Sequence, residues 1–159
     1  MATPAKGIDP RGPRFVAAVT AILLLTVIGL FLGGLTLASY VLFAVIVVVF
    51  AIGAFGGVAR NPWGVFFRAV IRPRLAAPTE LEDPVPPTFA QGMGFVITIV
   101  GLLLSLIPGL PLALPIAAGL AFIAAFLNSV FAYCLGCQIY LLLVRLGVLG
   151  RKRGTPAAA

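Results

Sequence analysis

Long runs of hydrophobic residues dominate the chain, and polar residues gather in the short intervals between them. A helix rises about 1.5 Å per residue, so about 20 apolar residues cross the roughly 30 Å hydrocarbon core of a bilayer. The runs predict four transmembrane spans, at about residues 16–37, 40–58, 90–107 and 112–134. The expected fold is an all-α polytopic membrane protein whose spans form two hairpins.

The last hydrophobic run is too long for one span. Residues 112–149 are almost continuously apolar and would reach about 55 Å as a straight helix. Two further spans would place the basic residues 151–153 outside, which conflicts with the positive-inside rule. We therefore expect the fourth span to end near residue 134, a bend near Gly136, and a final interfacial helix at about 137–149.

The connection between the hairpins has a helical pattern of its own. Asn61 and Pro62 read as an N-cap and a first-turn proline, and the apolar residues after them recur at helical spacing. This predicts an amphipathic interfacial helix at about 62–72. A cytoplasmic helix packed on its own bundle fits the same pattern, so both interpretations stay open.

A proline-rich acidic stretch follows this helix. Residues 73–89 are predicted to form an extended cytoplasmic loop in which prolines 84, 86 and 87 prevent a helix. The carboxylates of Glu80, Glu82 and Asp83 are expected to be solvated and to pair with nearby arginines rather than to form a catalytic pair.

Composition agrees with a membrane protein. Hydrophobic residues make up 62% of the 159 residues and charged residues 9%, whereas a soluble domain carries about 25% charged residues. The length allows one membrane domain, residues 1–159, with the lipid bilayer as its main partner.

The net charge of +7 arises from three basic clusters that flank apolar runs. They are Lys6, Arg11 and Arg14; Arg60, Arg68, Arg72 and Arg74; and Arg145, Arg151, Lys152 and Arg153. The hairpin tips around Gly34 and Gly109 carry no charge. This asymmetry predicts a multi-pass protein of the cytoplasmic (inner) membrane with both termini in the cytoplasm, and it argues against nucleic-acid binding.

The only two cysteines, Cys134 and Cys137, form a Cys-x-x-Cys motif at the expected inner boundary of the fourth span. They are the candidate catalytic residues of a reversible dithiol/disulfide, and a helix beginning beside them would favour a thiolate. Two other interpretations stay open. A metal site would need a homo-oligomer to assemble four thiolates, because the chain has no histidine. Alternatively, both cysteines are ordinary buried residues.

Four neighbours are candidate supporting residues. Gly136 would give the backbone freedom to close the small loop, and Gln138 could donate a hydrogen bond to a thiolate. Asn128 lies about two turns before Cys134 and fits either a site role or an interhelical hydrogen bond. Tyr133 fits an interfacial aromatic belt. Because Gln138 stands where c-type haem attachment needs histidine, c-type haem is excluded. The leading interpretation of the motif needs neither a cofactor nor a bound metal.

Several segments together resemble a known family. They are residues 8–15, 67–75 and 82–92, and the Cys-x-x-Cys motif with Tyr140. The chain resembles, over nearly its whole length, an actinobacterial membrane family catalogued as domain of unknown function 4395. The resemblance implies a thioredoxin-like or sulfurtransferase partner. Relatives often carry an acidic residue where Gln138 stands, so a carboxylate base at that position does not carry over.

The leading hypothesis is a membrane-embedded thiol-disulfide or sulfur-handling protein. If its cysteine pair is oxidised and reduced in repeated cycles, the protein resembles a thiol-disulfide oxidoreductase. Its expected docking surface for a soluble partner is Arg60, Trp63, Arg68, Arg72, Arg74, Glu80, Glu82 and Asp83. The alternative is a small transporter or accessory subunit without redox chemistry. Transport is weakly supported, because no acidic or basic residue lies within the spans.

Overall fold

The computed structural model describes residues 7–149, and within this range the protein is helical with no β-strand. The α-helices are α1 (Arg11–Leu32), α2 (Thr36–Gly56), α3 (Pro62–Phe66), α4 (Val85–Ser105), α5 (Ala113–Phe131) and α6 (Leu135–Arg145). A π-helical turn, Phe67–Ile71, continues α3, and short 3-10 turns cover Val58–Arg60 and Arg72–Arg74. Four of the helices, α1, α2, α4 and α5, are long and apolar enough to cross a membrane. The predicted all-α polytopic fold is confirmed.

The outer faces of these four helices are as hydrophobic as the inner ones. Leu32, Leu37 and Phe55 expose 77%, 77% and 81% of their surface. Such a continuous apolar exterior would be unstable in water, where large exposed patches are rare. A helix that is apolar on every side is stable when lipid covers the face that protein does not.

The four long helices form an up-and-down bundle. Helix α1 packs between α2 and α5, and α4 packs between the same two helices on the other side. Fully buried residues such as Leu24, Phe43, Leu114 and Ala118 fill the centre. Small residues bring the helices close. For example, the Phe50 ring of α2 occupies the space that a β carbon on Gly94 of α4 would need.

Glycines make the two hairpin turns possible. Gly34 between α1 and α2 has φ +80°, and Gly109 between α4 and α5 has φ +91°. Side chains with a β carbon rarely adopt this left-handed region. The chain therefore reverses at the two uncharged tips, and the beginnings of α1 and α4 lie at the same end as the ends of α2 and α5.

Helix α4 begins earlier than the pattern indicated. It starts at Val85, so Pro86 and Pro87 lie in its first turn instead of in the extended loop expected up to residue 89. The sequence argument overstated the effect of proline, because N–H groups in a first helical turn have no intrahelical acceptor and proline loses nothing there. The Asp83 carboxylate accepts a hydrogen bond from the Val85 N–H at 2.9 Å and supports this start.

The connection between the hairpins packs on the bundle. Phe67 is 3% exposed, and its ring centroid lies 5.6 Å from that of Phe15 on α1. Val65 and Phe66 remain half exposed on the outside. The segment therefore packs on its own bundle and keeps an apolar outer edge, and its interfacial position stays a prediction.

The break after α5 falls just before the cysteines. Helix α5 ends at Phe131, Ala132 adopts the left-handed conformation with φ +55°, and α6 starts at Leu135. The expected bend is present, but it lies a turn before Gly136. Helix α6 packs mainly against α4 and touches α5 little.

Candidate functional site

The Cys-x-x-Cys motif forms the start of α6. Cys134 is the N-cap, with extended backbone angles, and its Sγ accepts a hydrogen bond from the Cys137 N–H at 3.3 Å. The Cys134 carbonyl accepts from the Gln138 N–H at 3.0 Å and closes the first helical turn. A sulfur thus occupies the position where serine or aspartate usually caps a helix.

The two sulfurs are bonded to each other. The Cα atoms of Cys134 and Cys137 are 5.2 Å apart, within the usual range for a disulfide. Both residues are half-buried. The bonded pair lies at the positive end of the α6 dipole, where free N–H groups would stabilise a thiolate after reduction.

Gly136 holds this end of α6 against α4. A β carbon on Gly136 would lie 2.6 Å from both the Cα and the Cβ of Ala90. One turn later, the ring centroids of Tyr140 and Phe89 are 5.5 Å apart. Because Gly136 has ordinary helical angles, it serves close packing, not the backbone freedom that its sequence position suggested.

The other supporting candidates are placed differently. Asn128 and Cys134 line the same cavity, so the structure brings these two together. Tyr133 is 47% exposed, between α5 and α6. The Gln138 side chain is also exposed, and only its backbone N–H contacts the motif.

A cavity of about 270 Å³ lies inside the bundle beside the disulfide. Its walls are mainly apolar residues of α1, α2, α4, α5 and α6, and its polar lining includes Thr20, Gln91 and Asn128. Sequence reasoning missed Gln91 as a site residue. The signal available was its position as an amide near the start of an otherwise apolar span.

A buried amide pair anchors Gln91. The Nδ2 of Asn61, a residue with no exposed surface, donates to Gln91 Oε1 at 3.2 Å. The Asn61 Oδ1 accepts from the Trp63 N–H at 3.0 Å and caps α3, as the sequence predicted. Asn61 thus joins the connection between the hairpins to the wall of the cavity.

The proposed docking residues lie at the same end of the bundle as the motif. All seven of their charged members are exposed, and Trp63 is half-buried against α1 and α2. The seven are Arg60, Arg68, Arg72, Arg74, Glu80, Glu82 and Asp83. At this end Arg14 donates to the Ser129 carbonyl at 3.5 Å, which links the start of α1 to the end of α5.

Within the part of the chain that the structure describes, the acidic loop does not pair with arginines as expected. Between residues 7 and 149 the ion pair that forms joins Asp9 and Arg11, at 2.9 Å. Hydrogen bonds from the Arg11 guanidinium hold the pKa of the Asp9 carboxyl below its usual value. Glu82 contributes its backbone instead, which pairs with Ile8 through two 2.9 Å hydrogen bonds. The segment before α1, residues 7–10, is called the N-terminal strap. It is held at this end by the backbone hydrogen bonds of Ile8 and by the buried carboxylate of Asp9.

Part of the basic pattern lies outside the described residues. Lys6, Arg151, Lys152 and Arg153 fall there, as do residues 150–159 in general.

Comparison with known proteins gives one match. No curated protein and no solved structure matches the chain. The model of a family described as "Domain of unknown function (DUF4395)" matches residues 8–145, a range that runs from the N-terminal strap to the last residue of α6. The chain is a member of the DUF4395 family.

Proposed function

We propose that this protein is a membrane-embedded thiol-disulfide exchange protein whose redox pair is Cys134 and Cys137. The observation that carries the proposal is the bonded pair at the N-terminus of α6. Cysteines that serve only as apolar filling need neither this geometry nor a helix terminus beside them.

The exchange reaction conserves atoms and electrons. A partner dithiol reduces the Cys134–Cys137 disulfide through a mixed disulfide, and the partner's two sulfurs become bonded while both cysteines gain a hydrogen. The α6 N-terminus supports this reaction because the hydrogen bond from the Cys137 N–H stabilises negative charge on Cys134. If the protein transfers sulfur instead of exchanging disulfides, the same Cys134 thiolate would take part.

The redox pair is proposed to face the cytoplasm. Arginines 11, 14, 60, 68, 72 and 74 lie at the end of the bundle that holds the motif, and the hairpin tips at the other end are uncharged. The positive-inside rule assigns such an end to the cytoplasm, with both termini there and the protein in the inner membrane. The exposed charges near Arg68 and Glu82 would then meet a soluble thioredoxin-like or sulfurtransferase partner.

Transport is less well supported by the geometry. The hydroxyls of Thr98 and Ser105 donate to carbonyls of their own helix, both at 2.7 Å, and so does Thr26, at 2.9 Å. Polar groups that are satisfied within one helix do not form a continuous polar path across the bundle. An accessory role without redox chemistry would show as a stable complex that survives loss of both cysteines.

The proposal is tested by trapping a mixed disulfide in cells. Cys134→Ser and Cys137→Ser each leave one reactive thiol, and the double substitution is the matched control. We expect a thiol-dependent complex with at least one single variant, absent from the double variant and dissolved by dithiothreitol. If neither single variant forms such a complex and the cells are unaffected, the exchange function is wrong.

A further inference from the structure

The cavity beside Cys134 is chemically unlike a site for a water-soluble substrate. Among residues 7–149 no charged side chain lines it, and most of its surface comes from apolar residues such as Met93, Ile97 and Leu120. Its volume of about 270 Å³ is close to the lower limit of about 300 Å³ for small-molecule pockets. A ligand of this cavity is expected to be neutral and mostly hydrophobic.

Two residues that line the cavity from different helices keep exposed surface. Leu120 on α5 is 56% exposed and Ile139 on α6 is 38% exposed, and these two helices touch each other little. A molecule dissolved in the bilayer therefore has a lateral route between α5 and α6. Cys134 lines the cavity, and Cys137 does not.

Besides the Thr20 hydroxyl, two carboxamides give the cavity its polarity. The Gln91 oxygen already accepts a hydrogen bond from Asn61, so the two N–H groups of Gln91 are the part left for a ligand. Asn128 adds a second amide to the lining, on α5 before the cysteines. Amide N–H groups in an apolar cavity can donate hydrogen bonds to a ligand that carries carbonyl oxygens.

We propose that this cavity binds a membrane quinone, which accepts electrons from the reduced Cys134–Cys137 pair. A quinone is neutral and lipid-soluble, carries two ring carbonyls, and accepts two electrons. The inference rests on the proposed exchange function, which supplies the dithiol. Both S–H bonds break, the Sγ–Sγ bond forms, and two electrons and two protons convert the two quinone carbonyls to the hydroxyls of a quinol.

The first experiment uses the purified full-length protein, reduced and freed of reductant under anaerobic conditions. The probe is decylubiquinone, whose fully substituted ring has no free carbon for the addition of a thiol and therefore does not alkylate the cysteines. We expect one quinol per protein, followed by absorbance, together with loss of both alkylatable thiols. The Cys134→Ser/Cys137→Ser variant should form no quinol.

Matched variants locate the reaction in the cavity. Ala124 lines the cavity, and its neighbour Ile123 is 53% exposed on the outer surface and does not line it. Ala124→Phe fills the cavity and should slow quinone reduction at least about tenfold, whereas Ile123→Phe should leave the rate within about twofold. Asn128→Ala should slow it by about tenfold through loss of a hydrogen bond to the quinone. Ser129→Ala is its control, because the Ser129 hydroxyl donates a hydrogen bond to the Phe126 carbonyl of its own helix.

The outcomes separate this inference from the function on which it rests. If the pair equilibrates with glutathione but reduces no decylubiquinone, the quinone site is wrong and the exchange function stands. Equal rates for Ala124→Phe and Ile123→Phe would also overturn the assignment of the cavity. If the pair exchanges with neither glutathione nor quinone, the exchange function itself is wrong. Lipid copurified in the cavity, with no quinol formed after its removal, would likewise refute the proposal.

Discussion

The contact between Gly136 and Ala90 provides the sharpest structural prediction. An alanine at 136 would place its β carbon 2.6 Å from the Ala90 Cα and Cβ, whereas carbon atoms rest about 3.5–4.0 Å apart. Helix α6 must therefore move away from α4 by about 1 Å. Overpacking of this kind costs about 1–3 kcal/mol, and the better helix propensity of alanine returns about 0.5–1 kcal/mol. From the middle of these two ranges, the expected net loss in α6 docking is about 1 kcal/mol.

A loss of about 1 kcal/mol corresponds to a roughly fivefold increase in the undocked population of α6. Hydrogen–deuterium exchange of the peptide that covers residues 135–145, in solubilised protein, measures it directly. The matched control is Gly119→Ala on α5, where a new β carbon meets no atom within 4 Å. We expect faster α6 exchange and faster alkylation of the reduced cysteines in Gly136→Ala alone. Equal exchange in both variants would refute the packing role of Gly136.

Three further predictions concern the end of the bundle that holds the motif. Phe67→Ala removes a ring that is 3% exposed and should cost about 3–5 kcal/mol; Phe66→Ala, at a residue 48% exposed, should cost much less, and similar melting temperatures would contradict the packing of this segment on α1. Asn61→Ala should cost about 1–3 kcal/mol in thermal or denaturant unfolding, because it removes the α3 cap and strands Gln91; Asn61→Ser keeps the cap and should recover part of the loss. Asp9→Asn should lower stability at pH 7 by about 1 kcal/mol or less, since Arg11 is 35% exposed. Because the folded pKa of Asp9 is lowered, its contribution is complete above about pH 5 and disappears as pH falls through that lowered pKa. The difference in melting temperature between wild type and Asp9→Asn should therefore shrink toward pH 2, and a constant difference would contradict the ion pair.

The number of spans and the two hairpins could be predicted, because hydropathy over about 20 residues is a strong and local signal. The two turns at Gly34 and Gly109 could also be predicted locally, because glycine adopts the positive φ that each turn requires. The capping role of Asn61 was equally local.

The remaining features depend on tertiary contacts that no local pattern reports. The break before α6 lies at Ala132, a residue with no intrinsic preference for the left-handed region, so the pattern assigned it to the nearest glycine. Gly136 matters through Ala90, which is 46 positions away in the chain. The partnership of Gln91 with Asn61 and its place beside Asn128 arise only when α4 and α5 pack around one cavity. The acidic loop was misread because three carboxylates near arginines suggested ion pairs. Instead, the Asp83 carboxylate accepts a hydrogen bond from the Val85 N–H at the start of α4, and Glu82 pairs through its backbone.

The most direct test of the central claim is a redox titration of the cysteine pair in native membranes. Membranes are equilibrated with glutathione buffers of stepped potential, thiols are alkylated with a membrane-permeant reagent, and the adducts are counted by mass. We expect only zero or two adducts per chain, with a transition of about 30 mV per tenfold change in the ratio, as a two-electron couple requires. Two adducts at every potential, a single adduct, or cysteines that never react even after strong reduction would contradict a reversible Cys134–Cys137 pair.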